Sequence, residues 1–257
     1  MWPHTKSRDL KEEHRPERVR ERISATGGPS PLSDAVLGAS DGIITTFAVV
    51  AGSAGGQFPT SVVIVLGMAN LIADGFSMAV SNYLSTRSRQ EEIDQAKRDE
   101  SWQIDRYPLG EFREVREIFA RKGFRGETLD RIVEVITRNR DVWIDTMLEE
   151  ELNLQKVTES PRRAAGVTFT AFVIFGSIPL IPFIVPIFPL QHLFLISSGL
   201  SAAAFAILGV WKGVMLHRSL ARSGFQTLAI GSIAAVLAYG VGTLLHSLFG
   251  VASASAG

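Results

Sequence analysis

Two long stretches of this chain contain no charged residue, and a third contains almost none. Residues 164–211 and 223–257 lack Asp, Glu, Lys and Arg, while residues 33–86 carry three aspartates and no other charge. About 20 apolar residues in a helix already span a lipid bilayer, so runs of this length exceed what the core of a soluble domain uses. The sequence therefore predicts a multi-pass membrane protein.

Five membrane-spanning helices account for the apolar stretches, and turn-forming segments rich in Gly and Pro separate them. We predict an all-α fold, a five-span transmembrane helical bundle with a cytoplasmic helical insert between spans 2 and 3. The predicted spans cover residues 33–55, 60–86, 164–186, 190–214 and 225–249. The predicted regions are a tail (1–32), spans 1 and 2 (33–86), the insert (87–163), spans 3 to 5 (164–250) and a C-terminal tail (251–257).

Positive charge predicts the orientation, because short loops rich in Lys and Arg stay on the cytoplasmic side. The N-terminal tail is rich in both, and the connection between spans 4 and 5 carries Lys212, Arg218 and Arg222. The loops near residues 57 and 188 carry neither. We therefore expect the N-terminus and the insert in the cytoplasm and the C-terminus on the far side.

Several classes of protein are disfavoured. The chain has no cysteine, which excludes structural disulfides and thiolate metal sites. Its first 30 residues are charged, so we expect no cleavable signal peptide. No nucleophile motif, Gly-rich phosphate loop or histidine cluster points to an enzyme. The 26 basic and 26 acidic residues balance, and we expect no nucleic-acid partner.

Aspartates within the predicted spans need an explanation. Each costs about 2.5 to 3.5 kcal/mol on insertion scales, so such a residue faces the bundle interior and usually serves a function. Asp41 lies about eight residues into span 1, roughly 12 Å from the cytoplasmic edge. Span 2 runs in the opposite direction, and Met78 lies at a similar distance from the same edge. We therefore expect Asp41 and Met78 at one depth.

A stripe of side chains follows span 2, where Asn70, Asp74, Met78 and Asn82 recur every four residues and therefore share one face of the helix. Carboxylate and amide oxygens suit hard cations, and a thioether shifts the preference toward softer ions such as Fe²⁺ over Mg²⁺ or Ca²⁺. The pattern indicates one wall of a path for a divalent transition metal. Carboxylates that bind metal and proton in turn would also couple the two fluxes.

Structural roles compete with these interpretations. Met in a span usually serves packing, and Asn can join one helix to the next by hydrogen bonds. Asp34 lies near the membrane surface, where capping is favoured over transport. For Asp41 and Asp74 a purely structural role is disfavoured, because lipid makes unused charge costly. Gly38 and Gly42 form a G-x-x-x-G pattern, which allows close helix contact and a dimer.

The insert is predicted to be soluble and helical. Span 2 continues into a solvated helix that Pro108 and Gly110 end. Three more helices follow, in "EFREVREIFARKG", "ETLDRIVEVITRN" and "DVWIDTMLEEELNLQ". We expect Gly123 to cap the C-terminus of the first of these three and Asp141 to act as N-cap of the last.

Carboxylates cluster on the insert helices. Glu111 and Glu114 project from neighbouring positions of one helix, and Met147, Glu150 and Glu151 do so on another. Carboxylates on several helices can converge on cations. A solvated, salt-bridged surface is the alternative, since 16 basic residues are interleaved with 18 acidic ones in the insert. The insert has no histidine, which argues against a di-iron oxidase centre.

Several segments resemble the vacuolar iron transporter family in its bacterial form. They are "LGASDGIITTFAVVAG", "LGMANLIADGFSMAVSNYLSTRSRQE", the acidic insert, "LGVWKG" and "RSGFQTLAIGSIAAVLAYGVG", and their order and spacing agree over about residues 32–250. The resemblance implies a homodimer of five-span subunits in a lipid bilayer. It also implies movement of Fe²⁺, and of Mn²⁺ or other divalent ions such as Co²⁺ and Zn²⁺, out of the cytoplasm in exchange for protons. A bacterial inner membrane is the favoured location.

The resemblance also implies site residues. An aspartate of span 1 and a methionine of span 2 that line the path in the family match Asp41 and Met78. The insert residues that gather metal in the family match Glu100, Glu111, Glu114, Met147 and Glu151. The full predicted metal set adds Asp74, Asn70 and Glu150, which the spacing arguments supply.

Three positions depart from the family pattern. Gln103 and Leu148 stand where plant-type members have carboxylates, and Asn70 replaces a glutamate of span 2. The number of ions that the insert binds is therefore open, while Asp74 can compensate within the membrane.

These observations favour an exporter of cytosolic Fe²⁺ driven by inward proton movement. The alternative from another class is a membrane-anchored metal sensor or buffer, in which the insert binds metal and the spans only hold it. A channel without proton coupling is a third possibility. The polar stripe favours transport, because an anchor would not need it.

Overall fold

The computed structural model describes residues 14–25, 31–155, 160–215 and 220–249. Within these ranges the chain forms helices and no strand. The helices are α1 (Pro16–Ala25), α2 (Pro31–Gly55), α3 (Thr60–Arg106), α4 (Pro108–Arg121), α5 (Gly126–Arg138), α6 (Arg140–Glu150), α7 (Pro161–Ser177), α8 (Ile181–Ile184), α9 (Leu193–Met215) and α10 (Leu220–Phe249). Two 3₁₀ turns, Ile178–Leu180 and Leu190–His192, precede α8 and α9.

In the part of the chain that the structure describes, five helical segments are long and apolar enough to cross a membrane, which confirms the all-α, five-span prediction. They are Leu32–Gly55, Thr60–Arg106, Pro161–Ile184, Leu190–Val214 and Gly224–Phe249. The second of them is the 47-residue helix α3, whose apolar part ends near Ser85 and whose charged part belongs to the insert. The predicted continuation of span 2 into a solvated helix is therefore confirmed.

The chain divides into two compact units, and the boundary between Ser85 and Thr86 falls inside α3. One unit holds the membrane-spanning helices. The other holds α1, the charged part of α3 and the insert helices α4, α5 and α6. The predicted tails lie largely outside the described residues, apart from α1.

Helix α2 is the centre of the membrane unit and packs against α7, α9 and α10. Two glycines allow its close approach to α7. A Cβ at Gly38 would lie 2.2 Å from the Thr168 carbonyl oxygen, and one at Gly42 would lie 2.5 Å from the Phe172 carbonyl oxygen. This G-x-x-x-G pair is therefore used within the subunit, where small residues let two backbones approach.

The third span ends in an irregular segment. Pro179 lies in the 3₁₀ turn after α7, and Pro182 opens the short helix α8. Proline removes a backbone donor and leaves carbonyls without helical partners. The Ser197 hydroxyl, from α9, donates to the Pro179 carbonyl at 2.7 Å. This irregular segment is thus stabilised by a buried side chain.

The insert unit has a small apolar core of its own. Its buried members are Ile104, Val115, Leu129, Val133, Trp143 and Met147. They come from α3, α4, α5 and α6, so each insert helix buries one face, as the helical spacing of the apolar residues predicts.

Two of the three predictions about helix ends in the insert need correction. Gly123 has φ of +100° just past α4, which confirms it as part of the C-terminal cap. The N-cap of α6 is Asn139, whose side chain accepts from the backbone N–H of Asp141 and Val142; the prediction of Asp141 was wrong. Gly110 lies within α4, and the break falls at Tyr107 and Pro108 alone.

Candidate functional site

The first two spans are joined by a partly buried hydrogen bond. Asn82 Nδ2, on α3, donates to Asp34 Oδ1, on α2, at 2.8 Å. The same nitrogen donates to Thr168 Oγ1, on α7, at 2.7 Å. Asp34 lies in the first turn of α2 and is only 7% exposed, and the side-chain partner that the structure shows for it is Asn82 of another helix.

This hydrogen bond fixes the register of the two antiparallel helices. Asp41 lies seven residues after Asp34, about 10 Å along the helix axis. Met78 and Asp74 precede Asn82 by four and eight residues, about 6 and 12 Å. Asp41 therefore lies between the levels of Met78 and Asp74 and closer to Asp74. On this register Asp41 and Met78 differ by less than one helical turn along the helix axes, and their common depth in the bilayer stays a prediction.

Asp41 and Asp74 are near enough for their charges to repel each other. Both side chains are partly exposed in the single chain. Within a bilayer, two neighbouring carboxylates are unfavourable without a cation or a proton to neutralise them. Of the residues predicted for the path, these two have the clearest mutual interaction.

A groove of about 680 Å³ lies between α2, α3 and α10. Asn70 and Asp74 supply polar groups from α3, and Gly52, Ser53 and Gly242 line the other walls. The Asn70 side-chain nitrogen is buried without a hydrogen-bond partner. Met78 and Asp41 are not among the lining residues, and both are half-buried.

In the insert, Glu100 of α3 and Glu111 of α4 meet directly. Both are 3% exposed, and their carboxyl groups are close enough to influence each other. Burial, and then repulsion from neighbouring carboxylates, raises the pKa of Glu100 to about 7. The same causes raise the pKa of Glu111 to about 7. The carboxylates that act on both members of this pair are Glu114 and Glu151.

The core of the insert explains why these acids are buried. Ile104 follows Glu100 by four residues on α3, and Val115 follows Glu111 by four on α4. Both apolar side chains belong to the insert core, so each carboxyl lies one turn away on the same buried face of its helix. The carboxyl pair therefore borders the apolar core.

Two buried carboxyl groups that repel each other favour a proton on one of them. Glu100 and Glu111 each keep a buried Oε2 atom without a partner. A divalent cation could replace this proton and use these free oxygens, because carboxylate oxygens are ligands for such ions. As the side chains stand, no three His, Cys, Asp or Glu groups among the described residues are arranged to hold a metal ion.

The other predicted insert residues divide into two groups. Glu114 and Glu151 interact with the carboxyl pair, and burial followed by repulsion from Glu114 raises the pKa of Glu151. Met147 is fully buried in the apolar core. Glu150 points elsewhere and forms an ion pair with Lys122. The structure thus brings together Glu100, Glu111, Glu114 and Glu151, and it leaves Glu150 outside this group.

Sequence reasoning missed one member of the membrane site. Asn82 was part of the polar stripe, but its partner Thr168 gave no signal, because a single threonine in an apolar span is unremarkable. The pairing depends on contact between residues 86 positions apart.

Comparison with known proteins places this sequence among membrane iron transporters. Residues 32–243 match the model of the VIT family. A vacuolar iron transporter of Toxoplasma gondii is 34% identical over 224 residues, which cover 84% of this chain and 74% of the relative. Vacuolar iron transporter 1 of Eucalyptus grandis is 32% identical, with 84% and 87% covered. Vacuolar iron transporter 1 of Arabidopsis thaliana is 32% identical, with 81% and 83% covered.

Proposed function

Because this chain belongs to the VIT family, we propose that it is a membrane transporter that carries Fe²⁺ out of the cytoplasm in exchange for protons. Iron as the transported ion is supported by its relatives, which are named vacuolar iron transporters. Mn²⁺, Co²⁺ and Zn²⁺ are further candidate ions. A transporter rather than an enzyme is what the family assignment supports.

The interaction of Asp41 with Asp74 is the observation that carries this proposal. An anchor for a soluble domain has no use for two aspartates at one level of the bilayer, where unpaired charge is costly. A divalent cation would neutralise both groups, and protons would replace it after release. Exchange of one for the other keeps the site close to neutral throughout the cycle, which is the physical basis of coupling.

The insert is proposed to collect the metal. Its Glu100 and Glu111 carboxyls have pKa values of about 7, so near neutral pH they release protons readily when a cation arrives. Glu114 and Glu151 complete the acidic group. Met147 is the remaining predicted ligand, and its thioether would need to turn from the core to reach a cation.

A homodimer is also proposed. Asp41 and Asp74 are partly exposed in one chain, and carboxylates in a span do not face acyl chains. A second subunit, or water held by one, would cover them. Gly38 and Gly42 are already occupied by contacts within the subunit, so other surfaces would form this interface.

The location and orientation follow the sequence argument. We propose an inner bacterial membrane, with the N-terminus and the insert in the cytoplasm and the C-terminus on the far side. The support for the orientation is the distribution of Lys and Arg between the loops, and the location rests on the resemblance to bacterial members of the family.

Reconstitution in liposomes tests the function. With a proton gradient imposed, vesicles containing the full-length protein should accumulate Fe²⁺, and Asp41→Ala should abolish this while the protein stays folded. Asp130→Asn, at an exposed insert residue paired with Arg116, is the matched control and should transport normally. Metal binding without flux under any gradient would favour the sensor, and flux that ignores pH would favour a channel.

A further inference from the structure

Arg140 joins the start of α6 to the charged part of α3. Its Nη1 atom donates to Asp105 Oδ1 at 2.6 Å, and its Nη2 atom donates to both the backbone carbonyl and the hydroxyl of Ser101 at 2.8 Å. Ser101 and Asp105 are four residues apart on α3, so a single guanidinium group spans one full turn of that helix. None of the proposed metal ligands takes part in this contact.

Stability alone explains the contact poorly. The Arg140 side chain is 45% exposed and that of Asp105 is 62% exposed, and exposed ion pairs contribute little to folding. Arg140 is also the first residue of α6, where the helix dipole disfavours a cation. A cation that is kept at an unfavourable helix end, and that donates to three acceptors on one neighbouring helix, indicates a role in geometry.

The contact lies beside the acidic group of the insert. Ser101 directly follows Glu100 on α3, so Arg140 binds the flank of the buried face that carries Glu100. On α6, Glu151 follows Arg140 by 11 residues, which places the two on the same side of the helix, about 16 Å apart along its axis. One side of α6 therefore holds α3 at one end and presents Glu151 to Glu100 at the other.

The charge of Arg140 is not what links it to the acidic group. Burial and neighbouring carboxylates raise the pKa values of Glu100, Glu111 and Glu151. Arg140 is paired with Asp105 and is not among the groups that shift these three pKa values. Any effect of Arg140 on metal binding must therefore act through the position of α6.

We propose that Arg140 is a positioning residue of the metal-collecting site. Its contacts with Ser101 and Asp105 hold α6 in the register that brings Glu151 to Glu100. This inference rests on the proposed function of the insert. Without the contact, α6 can slide or rotate against α3, and the two glutamates no longer reach the same cation. Groups that orient metal ligands matter for affinity even though they do not touch the metal.

The test measures Mn²⁺ binding to the full-length protein in detergent by calorimetry, together with thermal unfolding. Arg140→Gln removes all three hydrogen bonds and the positive charge. We expect the affinity to fall about tenfold, while the Tm changes by no more than about 2 degrees, as for an exposed ion pair. Arg138→Gln is the matched control, because it removes the same charge from an ion pair with Glu134 within α5, and it should bind Mn²⁺ like the wild type.

The direction of the change is decisive. Loss of a cation by itself strengthens the attraction of an acidic surface for metal, so a role in electrostatics predicts tighter binding in Arg140→Gln. Loss of positioning predicts weaker binding. Unchanged or tighter binding of Mn²⁺ in this variant would overturn the proposal.

A second variant decides the matter if Arg140→Gln fails to fold. Arg140→Lys keeps the charge, but one ammonium group lacks the planar fork that reaches acceptors on both Ser101 and Asp105. We expect its affinity for Mn²⁺ to fall by about threefold to tenfold. Wild-type affinity in Arg140→Lys would show that the fork is not required, and it would overturn the inference.

Distances between spin labels measure the positioning without metal. The chain has no cysteine, so labels can be attached at Glu92→Cys on α3 and Glu149→Cys on α6, which are both exposed positions. In labelled protein diluted with unlabelled protein, Arg140→Gln should shift and broaden the distance distribution, and Arg138→Gln should leave it unchanged. An identical distribution in Arg140→Gln would overturn the inference. Wild-type protein that binds no Mn²⁺ would instead contradict the proposed collection of metal by the insert.

Discussion

The carboxyl groups of Glu100 and Glu111 are buried close enough to influence each other, although the two residues belong to different helices. Each acid therefore affects the titration of the other. The behaviour of this pair with pH is the most direct way to examine the insert.

Metal binding by the full-length protein should weaken as the pH falls from 8 to 6. The pKa values of Glu100 and Glu111 are about 7, so both carboxyls are largely protonated at pH 6 and the proton competes with the cation. We expect a loss in affinity that approaches about tenfold per pH unit below pH 7 for each carboxyl that binds the ion, measured with Mn²⁺ as a probe that resists oxidation. Calorimetry in buffers of different ionisation enthalpy should detect proton release. Binding that is constant across this range would contradict the assignment.

The same two pKa values predict how stability depends on pH. Both groups bind protons more tightly in the folded protein than the ordinary value of 4.5. Their contribution to stability is complete below pH 4.5 and is lost as the pH rises through about 7. Glutamine cannot deprotonate, so Glu111→Gln avoids the loss of stability at high pH. The substitution should raise the Tm by a few degrees at pH 8 and change it little at pH 5. Thermal unfolding of metal-free protein in detergent checks this. A larger rise in Tm at pH 5 than at pH 8 would contradict the prediction.

Glu150 and Glu151 are adjacent but should behave differently. Glu151 interacts with Glu100, Glu111 and Glu114, whereas Glu150 pairs with Lys122. Glu151→Gln should weaken metal binding about tenfold, on the order of 1.4 kcal/mol. Glu150→Gln is its matched control and should bind metal like the wild type. Equal losses in the two variants would mean that general negative charge, and not a defined group, attracts the ion.

The close contact between α2 and α7 predicts a strict requirement for glycine. A Cβ at Gly42 would approach the Phe172 carbonyl oxygen to 2.5 Å, whereas a Cβ at Gly166, on α7, would meet nothing within 4 Å. Gly42→Ala should therefore destabilise the protein by about 1 to 3 kcal/mol, and Gly166→Ala should not destabilise it. Thermal stability in detergent separates the two variants, and similar midpoints would place the helices further apart than described.

The sequence predicts the spans well because lipid imposes a minimum length and an apolar composition on each span. Both can be recognised without knowing which residues contact each other. The sequence predicts contacts less well. Asn139 and Asp141 are both good N-cap residues, and the extended backbone at Asn139, set by the turn after α5, decides between them. Glu150 and Glu151 have different neighbours because successive residues of a helix point about 100° apart. The rotation of α6 about its own axis decides which of the two faces Glu100 and Glu111, and the sequence does not give that rotation.

Asp34 shows the limit of the sequence argument most clearly. Its position near the start of α2 predicts a cap. The spacing of residues in the sequence does not show that Thr168, on α7, lies close to the Asn82 side chain that binds Asp34. Asp41 and Asp74, by contrast, are recognisable because charge within an apolar run is rare. The function of a residue is therefore easier to predict from the sequence when its type is unusual for its surroundings, as a charged residue is in an apolar span.

Met78 provides the last prediction, because its thioether is the proposed source of ion preference. Soft ligands favour Fe²⁺ over harder ions such as Mn²⁺, so Met78→Leu, which keeps the volume, should lower Fe²⁺ flux more than Mn²⁺ flux, by roughly tenfold in their ratio. Met68, on the same helix and 40% exposed, offers the matched control, and Met68→Leu should leave the ratio unchanged. Competition between the two ions in liposomes measures it directly. If both variants kept the wild-type ratio, Met78 would serve packing, and selectivity would have to arise from the oxygen ligands or from the insert.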